Sequence, residues 1–234
     1  MKKKYILYIL LLLVLTFNYS GVNAGDNQAE NDKDIKKVIN STDYWENLIL
    51  VNKTNSLEAD YVPKDLVYPD IPFINTEMKS RMKMRKRAAR AIEDLFAEAR
   101  EEGIELMGVS AYRSFWRQND IYFAKVVREG QEKADMFSAR PGHSEHQTGL
   151  AIDLSGPGVD YTLSQKFALT KEGSWLQENA DDFGFVIRYP RGKEEITGFQ
   201  YEPWHLRYVG QEHARTITEY NLTLEEYLNY ILVK

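Results

Sequence analysis

The sequence predicts an α+β fold, and three observations lead there. Helical and strand-like stretches follow one another in no regular alternation. The later strands lie close enough in sequence to pair as hairpins. Neither an internal repeat nor a second linker divides residues 45–234. A hydrophobic content of 43% and an aromatic content of 12% supply the core that a single domain of this size needs.

The chain opens with Lys2-Lys3-Lys4, an apolar run from Tyr5 to Phe17, and Val22-Asn23-Ala24. A positive start, a short apolar centre and small residues at the cut describe a secretory signal over residues 1–24. The run falls short of the roughly 20 residues a membrane-spanning helix needs, so an uncleaved anchor is the lesser alternative. No cysteine follows it, which excludes a lipid-anchored lipoprotein. Residues 25–44 are polar and aperiodic and read as a flexible tether, with the folded domain over 45–234. Without residues 1–24 the chain has 27 basic against 35 acidic residues, a net charge of −8 that gives no support for nucleic-acid binding.

Within the domain, apolar residues at three- and four-residue steps from Met78 to Ala99 predict a helix over 75–103, with Gly103 as its C-terminal cap. The same stretch carries Lys79, Arg81, Lys83, Arg85, Lys86, Arg87 and Arg90. A solvated face is the plain reading of those charges; a patch for an anionic polymer is the sharper one. Residues 104–110 read as a strand, 115–130 as a second helix, and 149–154 as a strand after the Pro141-Gly142-His143 loop. Residues 170–182 read as a helix closed by Gly184. Two strands follow near 185–189 and 199–209, then helical segments to the end, where His213 reads as a surface residue.

The absence of cysteine removes disulfides, thiolate nucleophiles and Cys-based metal sites together, so any metal must be held by His, Asp or Glu. There are four histidines. In the strand after His146, Leu150, Ile152 and Leu154 point one way, and Gly149, Ala151 and Asp153 the other. Asp153 therefore sits among minimal side chains. A buried carboxylate needs a partner, and small neighbours leave room for an ion and a substrate. In Glu202-Pro203-Trp204-His205, His205 offers a third ligand and Glu202 a base that does not bind metal. Two His and one carboxylate with a position left open is the pattern of catalytic zinc. Glu202 and His205 have opposite parity on a regular strand, so both face one site only where the chain is irregular, as Pro203 favours. His143 and His146 form a competing HxxH pair. Ser80-Arg81-Met82-Lys83 matches SxxK but lacks KTG or SDN partners.

The SxHxxGxAxD run at 144–153, together with Glu202-Pro203-Trp204-His205, resembles the zinc D-alanyl-D-alanine carboxypeptidases of the VanY type, a group that includes related L,D-carboxypeptidases. The resemblance extends over residues 48–234, through Tyr61–Leu66, Ser110–Ser114 and Trp175–Gly210. It implies a compact zinc-peptidase fold with a small antiparallel sheet flanked by helices, shared with the hedgehog N-terminal domain, and one Zn2+ per chain on His146, Asp153 and His205. It also implies Glu202 as catalytic base, Arg113 as the arginine beside the reacting carbonyl, and Gln118 and Ser144 as polar substrate contacts. The implied reaction is removal of the terminal D-alanine from peptidoglycan stem peptides by an exported monomer, with the basic segment 79–90 available to anionic wall polymers. Its rivals are an L,D-carboxypeptidase acting on tetrapeptides, a crosslink endopeptidase, and a zinc-stabilised wall-binding module without turnover.

Overall fold

The alternation around Asp153 builds β4 (Ala151–Ser155), one of two central strands in a four-stranded antiparallel sheet. The others are β3 (Met107–Ser110), β5 (Phe185–Tyr189) and β6 (Glu202–Tyr208), in the order β3-β4-β6-β5. The computed structural model describes residues 45–77 and 79–233. The segments read as signal (1–24) and tether (25–44), and Met78, lie outside the described residues. Among the described residues, no helix is long and apolar enough to cross a membrane.

One face of this sheet is apolar. Leu150, Ile152, Leu154 and Leu206 are fully buried there against Ile92, Leu95 and Phe96 of α1 (Lys86–Glu101). The other face is buried but polar, bearing Asp153, Ser155, His205 and Arg207, with Arg188 contributed by β5. The register sets this division. Ile152 pairs with Leu206 and Asp153 with His205, and directly paired residues share a face. A slip of one residue would exchange oil for charge across the whole ladder.

The helix expected over 75–103 begins only at Lys86. Before it, Lys79–Met82 make one 3-10 turn, and β2 (Met84–Arg85) pairs with β1 (Leu66–Val67). Tertiary partners override the helical periodicity here. The Arg85 amide donates to Gly149 O at 2.8 Å and the Lys86 amide to Asp65 O at 3.0 Å. The Arg85 side chain is held by Asp65 and Glu46. The second expected helix is α2 (Phe115–Glu129), capped by the Ser114 hydroxyl, which accepts from the Arg117 amide. Gly130, at φ +85°, turns the chain into an unforeseen α3 (Gln131–Phe137). α4 (Lys171–Asn179) runs on through a 3-10 turn to Gly184, which caps it in the left-handed region as expected. A short α5 (Glu194–Thr197) separates β5 from β6. α6 (Gln211–Glu219) and α7 (Leu224–Val233) follow. The expectation of a surface His213 is corrected: it lies on the buried face of α6, its Nδ1 2.6 Å from the Tyr227 hydroxyl. The α6 periodicity that buries Ala214 and Ile217 carries His213 inward as well.

Candidate metal centre

Three chain segments bring the site together. Glu145–Thr148 form a 3-10 turn that ends at Gly149, in the left-handed region at φ +70°. A Cβ at Gly149 would stand 2.8 Å from the Leu66 side chain, so glycine alone lets the turn lie against β1 and enter β4. His146 on this turn is tied to the segment after β3 twice. Its Nδ1 lies 2.7 Å from Ala111 O, and its own carbonyl accepts from the Arg113 amide at 3.1 Å. Asp153 and His205 come from the directly paired positions of β4 and β6.

The ligand atoms of His146, Asp153 and His205 lie within 4.8 Å of one another, and all three residues are buried. His146 Nε2 is 3.2 Å from Asp153 Oδ2, and His205 Nδ1 is 3.0 Å from Asp153 Oδ1. The far nitrogen of each ring meets an acceptor. A carbonyl can only accept, so His146 carries its proton on Nδ1 and turns the Nε2 lone pair to the cluster. His205 shows the mirror arrangement: its Nε2 faces Glu145 Oε2 at 3.5 Å, leaving Nδ1 to the cluster. Those two atoms have no closer partner among the described residues, which makes each the other's natural one. Two imidazoles with opposite tautomers, each oriented from behind, and one carboxylate fit a divalent metal of borderline softness.

Burial opposes the charge on Asp153, but His146 and then His205 outweigh it and hold the carboxyl well below the usual carboxylate range. Burial lowers His146. For His205 burial is outweighed by the hydrogen bonds of Asp153 and Glu145, which raise it to about 9.

Glu202 Oε2 lies 3.9 Å from His205 Nδ1. The strand is irregular here: Ile187 pairs with Leu206 but Tyr189 with Glu202, so β6 uses two more residues than β5 over the stretch that holds Pro203, and Glu202 and His205 both line the cavity. Burial pushes the Glu202 carboxyl up to about 7, beside the opposing effect of His205. Arg113 Nη2 lies 3.9 Å from Asp153 Oδ2 and 3.3 Å from Ser110 Oγ, and its Nη1 donates to Gln118 Oε1 at 2.9 Å.

Arg113, Ser144 and Glu202 line a cavity of about 210 Å3 with the three ligands. Gln118 lies behind it, fully buried, its Nε2 donating to Ala139 O at 2.6 Å, so it braces Arg113 from the rear. His143 stands apart from the cluster, its Nδ1 2.7 Å from Asn52 O, and the HxxH pairing does not form.

Sequence reasoning missed Glu145. It is fully buried; its Oε1 accepts from Arg188 Nε at 2.7 Å and from Arg207 Nη1 at 2.6 Å. Burial works against its charge, but the two guanidinium groups hold its carboxyl well below the usual range. The available signal was two arginines within strands that otherwise read as buried. Tyr189, whose ring lies 4.9 Å from that of His205, was also missed.

The chain matches the VanY family model, described as D-alanyl-D-alanine carboxypeptidase, over residues 81–211. It is 46% identical over 201 residues to the putative carboxypeptidase YodJ of Bacillus subtilis, covering 85% of this chain and 74% of that one. Among solved structures, the LD-carboxypeptidase LdcB, from a study of peptidoglycan recognition, superimposes with a TM-score of 0.75 at 48% identity, over 79% of this chain and 86% of that one. A variant of the vancomycin-resistance D,D-pentapeptidase VanY in complex with Zn(II) superimposes with a TM-score of 0.64 at 37% identity, over 78% and 99%.

Proposed function

This chain belongs to the VanY family of D-alanyl-D-alanine carboxypeptidases, and on that premise we propose a zinc-dependent monomer acting outside the cytoplasmic membrane, which removes the terminal D-alanine from D-Ala-D-Ala stem peptides. The observation that carries this reading is the convergence of His146, Asp153, His205, Glu202 and Arg113 on one cavity. Zinc is supported by the donor set and by the Zn(II) complex of the related pentapeptidase. When bound, the ion supplies Lewis acidity, polarising a carbonyl oxygen and making water a stronger acid.

Glu202 is the proton carrier. Its carboxylate takes a proton from water and returns it to the leaving amine, a task suited to a group that titrates near neutrality. Arg113 keeps a fixed charge and a planar fork of donors facing the cavity, where it stabilises the oxygen that gains charge. Gln118 holds that fork in place, and the Ser144 hydroxyl offers a further polar contact to the peptide. Export is supported by the signal-like residues 1–24 and by the location of the substrate. The exposed Lys79, Lys86, Arg87 and Arg90 form a surface suited to anionic wall polymers.

A second reading, removal of D-alanine from tetrapeptides by an L,D-carboxypeptidase, is favoured by the greater likeness to LdcB than to VanY. Product analysis on purified penta- and tetrapeptides, with and without chelator, separates the two. D-Alanine release from pentapeptide, abolished by chelator and restored by zinc, is the expected result. Release from tetrapeptide alone overturns the first reading in favour of the second. Release from neither by zinc-loaded protein refutes the enzyme and leaves the binding module.

A further inference from the structure

The metal cavity shares a lining residue, Phe199, with a second groove. Phe137, Leu163 and Phe199 all line the metal cavity. The adjoining groove, of about 560 Å3, is lined by Met136, Gln165 and the same Phe199. Met136 adjoins Phe137 in sequence and Tyr201 adjoins Glu202, so the two linings are joined along the chain as well as through Phe199. Arg191, Glu194 and Tyr201 line this groove too.

Arg191 is an exposed cation set in place by its surroundings. Its guanidinium lies over the Tyr201 ring, 4.9 Å from the centroid. The Tyr201 carbonyl in turn accepts at 2.9 Å from Nε2 of Gln165, another residue of the lining. Gly192, at φ +80°, turns the chain directly after Arg191. Neighbouring cations are neutralised: Arg188 by Glu145 and Glu225, Lys193 by Glu226. Among the described residues no carboxylate pairs with Arg191. Glu194 Oε1 is engaged by the Gly192 amide at 3.2 Å.

We propose that Arg191 is a specificity-determining residue that binds a carboxylate of the stem peptide on the amino side of the bond that is cut. The inference rests on the carboxypeptidase reading above. A carboxypeptidase encloses the terminal residue, so the rest of the substrate must leave through the mouth. An extended chain covers about 3.5 Å per residue, and the γ-linked D-glutamate, with a free α-carboxylate, is the third residue back from the cut in a pentapeptide and the second in a tetrapeptide. A diaminopimelate at the position between offers another. A planar guanidinium stacked on an aromatic ring suits either carboxylate, taken through two parallel hydrogen bonds.

The test uses zinc-loaded full-length mature protein and matched pentapeptides or tetrapeptides, whichever it hydrolyses. One pair carries D-glutamate or its α-amide beside lysine; the other carries diaminopimelate or its side-chain amide beside α-amidated glutamate. The ratio of kcat/KM on acid to that on amide is measured for wild type, Arg191→Ala and Arg191→Lys. In Arg191→Ala the ratio should fall about tenfold for one pair, chiefly through KM, and the pair affected identifies the carboxylate. Arg191→Lys, keeping charge but not the fork, should lie between. Ratios within twofold of wild type in both pairs overturn the proposal. If wild type cleaves no substrate, it is the carboxypeptidase reading that has failed, and this inference falls with it.

Discussion

Removing the Glu145 side chain should weaken the fold and the metal site together, and the structure sets the size of both effects. Glu145→Ala deletes the carboxylate that Arg188 and Arg207 share, at 2.7 and 2.6 Å, on a sheet face where both arginines are fully buried. Breaking a buried ion pair from one side costs about 3–5 kcal/mol, because a desolvated charge is left behind. The remaining partners argue for the lower end. Arg188 keeps two hydrogen bonds to Glu225, at 2.9 and 2.7 Å, and Arg207 keeps the carbonyls of Asn47 and Ile49. With a urea dependence of about 2 kcal/mol/M, a loss of ~3 kcal/mol lowers the unfolding midpoint by roughly 1.5 M. Urea titration of the metal-free protein at pH 7, followed by far-UV circular dichroism, reads this without interference from the ion. Competition with a coloured chelator reads the second effect, a loss of zinc affinity of about 10–100-fold as His205 Nε2 loses its acceptor. A midpoint within about 0.3 M of wild type, or unchanged zinc affinity in the folded variant, would refute the reasoning.

Glu202→Gln should bind a full equivalent of zinc while kcat falls by about 10²–10⁴, as expected for loss of a proton carrier; metal content and turnover on one sample check this, and equal rates would exclude the role. Gln118→Ala should lower kcat through a misplaced Arg113, and so should cost nothing further in an Arg113→Ala background; additive losses in that double-mutant cycle would show independent action. Burial holds His213 below its ordinary value. The folded protein thus keeps it neutral while the unfolded chain takes up a proton below about 6.5. The stability it contributes is complete above that pH and declines as the pH falls. His213→Gln should therefore flatten the drop in unfolding free energy between about pH 6.5 and 5, and parallel slopes for variant and wild type would contradict this.

What the sequence made legible was local. The alternation of Leu150, Ile152 and Leu154 against Ala151 and Asp153 was readable because a strand's period assigns faces by itself. The conflict of parity between Glu202 and His205 was readable for the same reason, and it falls where the pairing of β6 with β5 is irregular. The failures lie where distant partners decide. The helical period read from Met82 to Ala89 gave no sign that the Arg85 and Lys86 amides are claimed by Gly149 and Asp65. His213 looked like a surface residue because its burial depends on α7, whose Tyr227 meets it. Glu145 stayed hidden because its importance lies in two arginines on strands far along the chain, and no spacing rule links them to it.

The pairing of Asp153 with His205 has a kinetic consequence. These ligands stand 52 positions apart in sequence and meet only across the ladder between β4 and β6. An unfolded chain therefore presents no preformed pair of them, and closing so long a loop is among the slower events of folding. High-affinity capture of an ion must wait for that ladder. The rate at which a refolding chain takes up metal is then a clock for the joining of its two central strands.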